Sequence, residues 1–261
     1  MVDTSEGALC SGEGVEPVDA NVRDECEDEV RVPTLQSRPT APTKAELREH
    51  YPLHLQYRSW CPDCVSAKGH SKHHRRTEDE PVEKQDGFTT WHMDYCFFNK
   101  KTFEEHDPSV VQAEGSLPVL VSYDKAKEGF WTLPVAEKGA SEDAVQWTCG
   151  VMEDSGYGGC EITVKSDQEP AIVSLRKAIA ATRTGTTVPM NSPVRCSKSN
   201  GRIENAVKRF QGQLRVLKHF FEGRVKKQLP ADSALLTWLI VWTSDCLNKF
   251  RVGEDGKTCY E

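Results

Sequence analysis

From Gly87 onward, apolar and polar positions alternate in ways that read as strands and helices. Thr90–Phe98, Leu117–Tyr123 and Phe130–Ala136 are rich in β-branched and aromatic residues, with turn signals between them, and read as three successive strands. Ser141 can cap a helix running to about Met152, with Glu142 and Asp143 favourable in its first turn. Glu161–Lys165 reads as a fourth strand, Ala171–Thr182 as a helix and Thr186–Met190 as a fifth strand. Two long helices follow, Arg202–Phe221 and Asp232–Lys249. In the first, Ile203, Val207, Phe210, Leu214, Leu217 and Phe221 step by three or four and form a stripe to be buried. Three strands in succession, then alternating helix and strand, predict an α/β fold with a mixed five-stranded sheet flanked by helices.

Upstream the pattern fades. Residues 1–43 are polar and acidic, carry Pro33, Pro39 and Pro42, lack periodicity, and read as a disordered tail. Residues 44–76 form a short segment rich in histidine and cysteine that ends in the basic run His73-His74-Arg75-Arg76. A polar linker, Thr77 to Asp86, leads to a core expected over 87–250, and 251–261 reads as a truncated C-terminal extension. An apolar fraction of 37% suits one core plus a tail.

The net charge of −7 argues against a nucleic-acid partner only until it is located. Residues 1–40 hold ten acids against Arg23, Arg31 and Arg38, an excess of seven that equals the whole net charge. The remainder is neutral, and its partners are set by local fields. The N-terminus MVDTSEGALC has neither a basic nor an apolar run, so no signal peptide is read. The longest apolar stretch, Ala234 to Trp242, is less than half of the ~20 residues that span a bilayer, so no membrane partner is expected. With no export signal, the ten cysteines are expected to be reduced or metal-bound, in a nuclear or cytoplasmic protein.

Three carboxylates stand out against this background. Asp94 lies in an aromatic strand, and alternation puts it on one face with His92, Cys96 and Phe98. An ionised carboxylate there is costly unless a cation or donor meets it, the plainer alternative being an Asp at a strand edge facing water. Asp167 ends the β-branched run Ile162-Thr163-Val164-Lys165-Ser166, where α/β sheets place their sites; it could equally cap the helix after Pro170. Glu204 opens a helix after the turn Ser199-Asn200-Gly201. Beside the apolar stripe of that helix run Glu204, Lys208, Gln211, Arg215 and Lys218, which also fits a plain solvated face. Between Arg195 and Lys227, however, ten Lys or Arg face two acids, a field suited to a phosphate backbone. Lys198, Arg202, Lys208, Arg215 and Lys218 are the candidate DNA contacts.

The order Asp94, Asp167, Glu204, with 36 residues between the last two, resembles the Asp-Asp-Glu triad of retroviral and retrotransposon integrases. The likeness extends to the wording WHMDY, VKSDQEPAI and SNGRIENAVKRF around the three acids, and LNKFRVGEDGKTCYE is similar to sequence that follows the core in Copia-type retrotransposon polyproteins. It covers about residues 50–261. One departure is that Gln168-Glu169-Pro170 follow the second Asp where integrases often have Asn-Gly, which brings an extra carboxylate close. The resemblance implies an RNase H-like core in which Asp94, Asp167 and Glu204 hold two Mg²⁺ or Mn²⁺ ions. Hard ions of this kind take oxygen ligands, and a pair about 4 Å apart can activate an attacking hydroxyl and stabilise a leaving oxygen. It also implies DNA as partner, cleavage of DNA ends followed by strand transfer, and a homo-oligomer.

His50-x3-His54-x6-Cys61-x2-Cys64 offers four ligands for one Zn²⁺ within 15 residues. A rival set replaces the upstream pair with His70 and His73 or His74. Integrases carry a His-His-Cys-Cys module before the core, with the pairs farther apart, so this version is compressed. A segment this short needs such a staple. Lys68, Lys72, Arg75 and Arg76 could contact DNA or form a solvated linker. Cys96, Cys149, Cys160, Cys196 and Cys246 read as scattered thiols, and Trp131, Trp147, Trp238 and Trp242 as core. Three functions stay open: a metal-dependent polynucleotidyl transferase, a catalytically inert DNA-binding remnant of a polyprotein, and a general RNase H-like nuclease.

Overall fold

The computed structural model describes residues 40–69, 89–98, 116–192, 201–230, 232–253 and 256–261. Most of the acidic tail, the linker, His70, His73, His74, Lys72, Arg75, Arg76, Cys196 and Lys198 lie outside the described residues.

The ten-residue strand β1 (Thr89–Phe98) forms the centre of the sheet. It pairs antiparallel with β2 (Leu117–Asp124), which pairs antiparallel with β3 (Gly129–Pro134). On its other side β1 runs parallel to β4 (Ile162–Ser166), itself parallel to β5 (Thr187–Asn191). The order is β3-β2-β1-β4-β5, so the mixed five-stranded sheet expected from the sequence is present. A strand in the middle of such a sheet is covered on both faces, which is why β1 reads as nearly continuous apolar sequence. β5 is an edge, and it tolerates Pro189 and the half-exposed Val188 and Met190.

Helices cover both faces. Trp91, Met93 and Tyr95 of β1 pack with α3 (Glu142–Met152) and α4 (Pro170–Thr182). Cys96 and Phe98 point the other way, into a cluster with α5 (Gly201–Val225) and α6 (Ala234–Phe250). The predicted alternation along β1 therefore holds. Ser141 caps α3 as expected, accepting from the Ala144 N–H at 3.3 Å. The side chain of Asn248 on α6 pairs with both backbone groups of Phe130, 2.7 and 2.5 Å away, as another strand would. Thr132 reaches Ser244 at 3.1 Å. These polar links fix the register of α6 on β3, where apolar contact alone would let it slide.

The expectation that Trp238 is core is corrected. α6 turns Leu236, Leu239, Ile240 and Leu247 inward, and Trp238 falls on the opposite face, 54% exposed and stacked on Trp242 with ring centroids 5.5 Å apart. The seven described cysteines are free thiols. No helix among the described residues is long and apolar enough to cross a membrane.

Two short helices precede the sheet, α1 (Lys44–His50) and α2 (Pro62–Lys68). α1 starts with a reciprocal cap, in which the Thr43 side chain accepts from the Glu46 N–H and the Glu46 carboxylate accepts from the Thr43 N–H at 2.8 Å. Neither helix could persist alone at seven residues. They lean on α5 instead: Val216 is buried among Cys61, Cys64 and Ala67, and Phe220 stacks on Tyr51.

Candidate active site and zinc cluster

The parallel ladder between β1 and β4 puts Trp91 opposite Val164 and His92 opposite Lys165. Two residues further along both segments come Asp94 and Asp167, one inside β1 and the other just past the last residue of β4. Asp167 does not cap the following helix. Its Oδ1 accepts from the Glu169 N–H at 3.1 Å in a local turn, and Glu169 is the N-cap residue of α4. Glu204 lies in the first turn of α5, which packs against β1 and β2.

Electrostatics tie the three together. The Asp94 carboxyl is pushed up to about 7 from an ordinary 3.8, first by burial, then by the negative charge of Asp167, with smaller contributions from Glu169 and Glu204. The opposing Tyr95 N–H, donating to Asp94 Oδ1 at 2.8 Å, does not offset this. A buried carboxyl pushed up by neighbouring acids belongs to an all-oxygen donor set suited to hard divalent cations. Among the described residues only the His/Cys set brings its ligand atoms all within 4.8 Å of one another, so the carboxylates are more widely spaced. His92, two residues back on the same face, is 2% exposed, and neither ring nitrogen has a hydrogen-bond partner. Burial and then the charge of Lys165 push it down to about 3, so it is neutral.

The rim of this region holds a pair that the sequence did not announce. Lys138, in the loop between β3 and α3, forms an ion pair with Glu169, and its Nζ lies 5.1 Å from the Phe97 ring centroid and 5.9 Å from that of Tyr95. Glu169 had a sequence signal, as the extra carboxylate after Asp167; Lys138 had none.

The candidate DNA contacts divide. Arg202 and Lys208 are exposed. Arg215 is drawn inward, with its Nε buried and unpartnered and its pKa lowered by burial, and Lys218 pairs with Glu222 at 2.7 Å. The basic stripe is thus open to solvent at the Glu204 end and tucked in further along.

The zinc ligands assemble as one buried cluster of His50, His54, Cys61 and Cys64. His54 Nδ1 lies 3.1 Å from His50 Nε2, 3.4 Å from Cys61 Sγ and 3.8 Å from Cys64 Sγ, and Cys64 Sγ lies 3.4 Å from His50 Nε2. Zn–N near 2.1 Å and Zn–S near 2.3 Å give tetrahedral edges of roughly 3.4–3.8 Å, so the set fits one zinc ion. Burial lowers both histidines, His54 to about 4, which favours neutral rings, each with one bare nitrogen to offer a metal. Burial raises the Cys64 thiol to about 11, so a cation is needed to bring out its thiolate there.

Lys68, offered above as a DNA contact or solvated linker, is neither. Its Nζ donates to the His54 carbonyl at 2.7 Å and to Gln213 Oε1 at 2.5 Å, and burial brings its pKa down to about 8. Gln213 is 1% exposed and also donates to the Leu53 carbonyl at 2.5 Å. One glutamine of α5 therefore holds the loop that carries His54. A Gln within an amphipathic helix gives no sequence signal of such a role.

No protein-family model matches the chain, and no curated protein matches it. Among solved structures, the catalytic core domain of BIV integrase is similar with a TM-score of 0.42 and 18% identity, over 66% of this chain and 90% of that one. The simian T-cell lymphotropic virus intasome, solved in complex with PP2A regulatory subunit B56 gamma, is similar with a TM-score of 0.41 and 16% identity, over 66% of this chain and 53% of that one. This chain therefore spans about half the length of that intasome chain. Neither likeness carries a residue's role or an activity across.

Proposed function

We propose that this chain is a retrotransposon integrase-like polynucleotidyl transferase that binds DNA, cleaves DNA ends and joins them to target DNA. The observation behind this reading is that Asp94, Asp167 and Glu204 occupy one neighbourhood, where each other acid raises the Asp94 carboxyl. The three would hold two Mg²⁺ or Mn²⁺ ions, which supply activation of an attacking hydroxyl and stabilisation of the leaving oxygen. Asp94 and Asp167 reach the site from adjacent parallel segments of the sheet, so the sheet sets their separation. Glu204 comes from α5, whose first turns also present Arg202 and Lys208 to solvent, where a phosphate backbone would lie. The zinc cluster acts at a distance by holding the far part of α5 in register.

Glu204→Gln keeps the side chain's shape and removes its charge. It is expected to abolish Mg²⁺-dependent cleavage and joining of duplex oligonucleotides, by at least about a thousandfold, while leaving DNA affinity intact or slightly higher. Lys208→Ala should do the opposite, weakening DNA binding and reducing its salt dependence by about one phosphate contact. If the wild-type chain binds DNA and Glu204→Gln alters no measurable reaction, the inert DNA-binding remnant is the better reading.

A further inference from the structure

We propose that the Lys138–Glu169 ion pair keeps a fourth carboxylate, Glu169, from joining the metal-binding set of Asp94, Asp167 and Glu204, and so sets how tightly the site holds divalent ions. The inference rests on the reading of those three acids given above.

Glu169 sits two residues after Asp167, and its two ends face different ways. Its N–H donates to Asp167 Oδ1 at 3.1 Å, so its main chain belongs to the carboxylate cluster. Its side chain is turned to Lys138, with the two side chains 35% and 17% exposed. Lys138 is held from both sides. Its ammonium lies over the rings of Phe97 and Tyr95, the β1 residues that alternate with Asp94, and a cation over an aromatic face is stabilised in place.

A loop tether alone would not require this pair. The loop is already docked by the Gly139 N–H, which donates to the Tyr95 hydroxyl at 3.1 Å. What Lys138 adds is a positive charge at the one acid beyond the triad that bears on Asp94. Without that charge, Glu169 loses the cation that holds its carboxylate away from Asp167, two residues before it. An added anionic ligand would tighten the hold on a divalent ion and fill a position that substrate phosphate oxygens need.

The test is calorimetric titration of Mn²⁺ alone into the zinc-loaded full chain. Releasing one carboxylate next to the ion should tighten binding by about tenfold in Lys138→Met and in Lys138→Gln, whereas Glu169→Gln stays within about twofold of wild type. The double variant Lys138→Met/Glu169→Gln should return to the wild-type value. Unchanged or weaker Mn²⁺ binding in both Lys138 variants overturns the proposal. So does a severalfold loss in Glu169→Gln alone, because Glu169 would then already be a ligand. Asp94→Asn separates this from the broader reading. If it abolishes Mn²⁺ binding while the Lys138 variants behave as wild type, only the role of the pair is lost; if it leaves Mn²⁺ binding intact, the carboxylate site itself is refuted.

Discussion

Asp94→Asn preserves the shape of the side chain and removes its titration. In the folded chain, burial, followed by the charge of Asp167, raises this carboxyl from 3.8 to about 7. An acid raised on folding binds its proton more tightly in the folded state. Between about pH 4 and pH 7 the folded state therefore carries the extra proton, and stability falls as pH rises through that window. The contribution is fully present below the unfolded pKa and lost above the folded one. Three pKa units correspond to ~4 kcal/mol as an upper figure, since water reaching the partly exposed carboxyl screens it.

Asparagine has no such dependence. In zinc-loaded protein without magnesium or manganese, Asp94→Asn should resist urea better than wild type at high pH. Linkage puts the widening of that advantage at ~2 kcal/mol between about pH 5 and pH 8. Tryptophan fluorescence across a urea series at several pH values measures it. Adding Mg²⁺ at pH 8 should then stabilise the wild type and leave the variant unmoved. A gap that stays constant with pH would show that Asp94 ionises normally, and the electrostatic case for a converging site would be lost.

Three other sites invite perturbation. Gln213→Ala removes a donor to the partly buried Leu53 carbonyl and one of the acceptors of the Lys68 ammonium, which keeps its bond to the His54 carbonyl; at 1–3 kcal/mol for the one stranded group, urea unfolding should show a loss of ~1–3 kcal/mol. Elemental analysis of Cys61→Ser should find about one zinc fewer per chain, with the wild-type ion lost more readily in acid. Its apparent affinity should rise by at least about one log unit per pH unit near neutrality, because the Cys64 thiol, raised by burial, must deprotonate to bind; a pH-independent affinity would argue against a His₂Cys₂ zinc site. A Cβ at Gly129 would lie 2.3 Å from Trp131 and 2.6 Å from Cys259, and Gly129→Ala should lower stability by ~1–3 kcal/mol through overpacking, unless the C-terminal residues lift away, in which case Cys259 becomes reactive to a thiol reagent.

Local pattern carried most of the architecture. The five strands and the helices α3 to α6 fall within a few residues of where periodicity and caps put them, because alternation and the 3.6-residue repeat are properties of neighbouring residues. The three acids were legible for the same reason: Asp94 interrupts an apolar strand, Asp167 ends one, and Glu204 starts a helix. The ligand quartet was legible because its members lie within 15 residues of one another. Contacts between distant segments were not. Lys138 meets Glu169 across 31 positions and Lys68 meets Gln213 across 145, and nothing near a lysine in sequence tells which carboxylate or amide it will face. Trp238 looked like core because hydrophobicity does not say which side of a helix has a neighbour, and Lys68 looked like a DNA contact or part of a solvated linker because charge does not say what covers it. The sequence by itself determined the elements and the chemical groups they carry. Only the tertiary structure decided which groups meet, since that depends on how the sheet and α5 bring remote segments together.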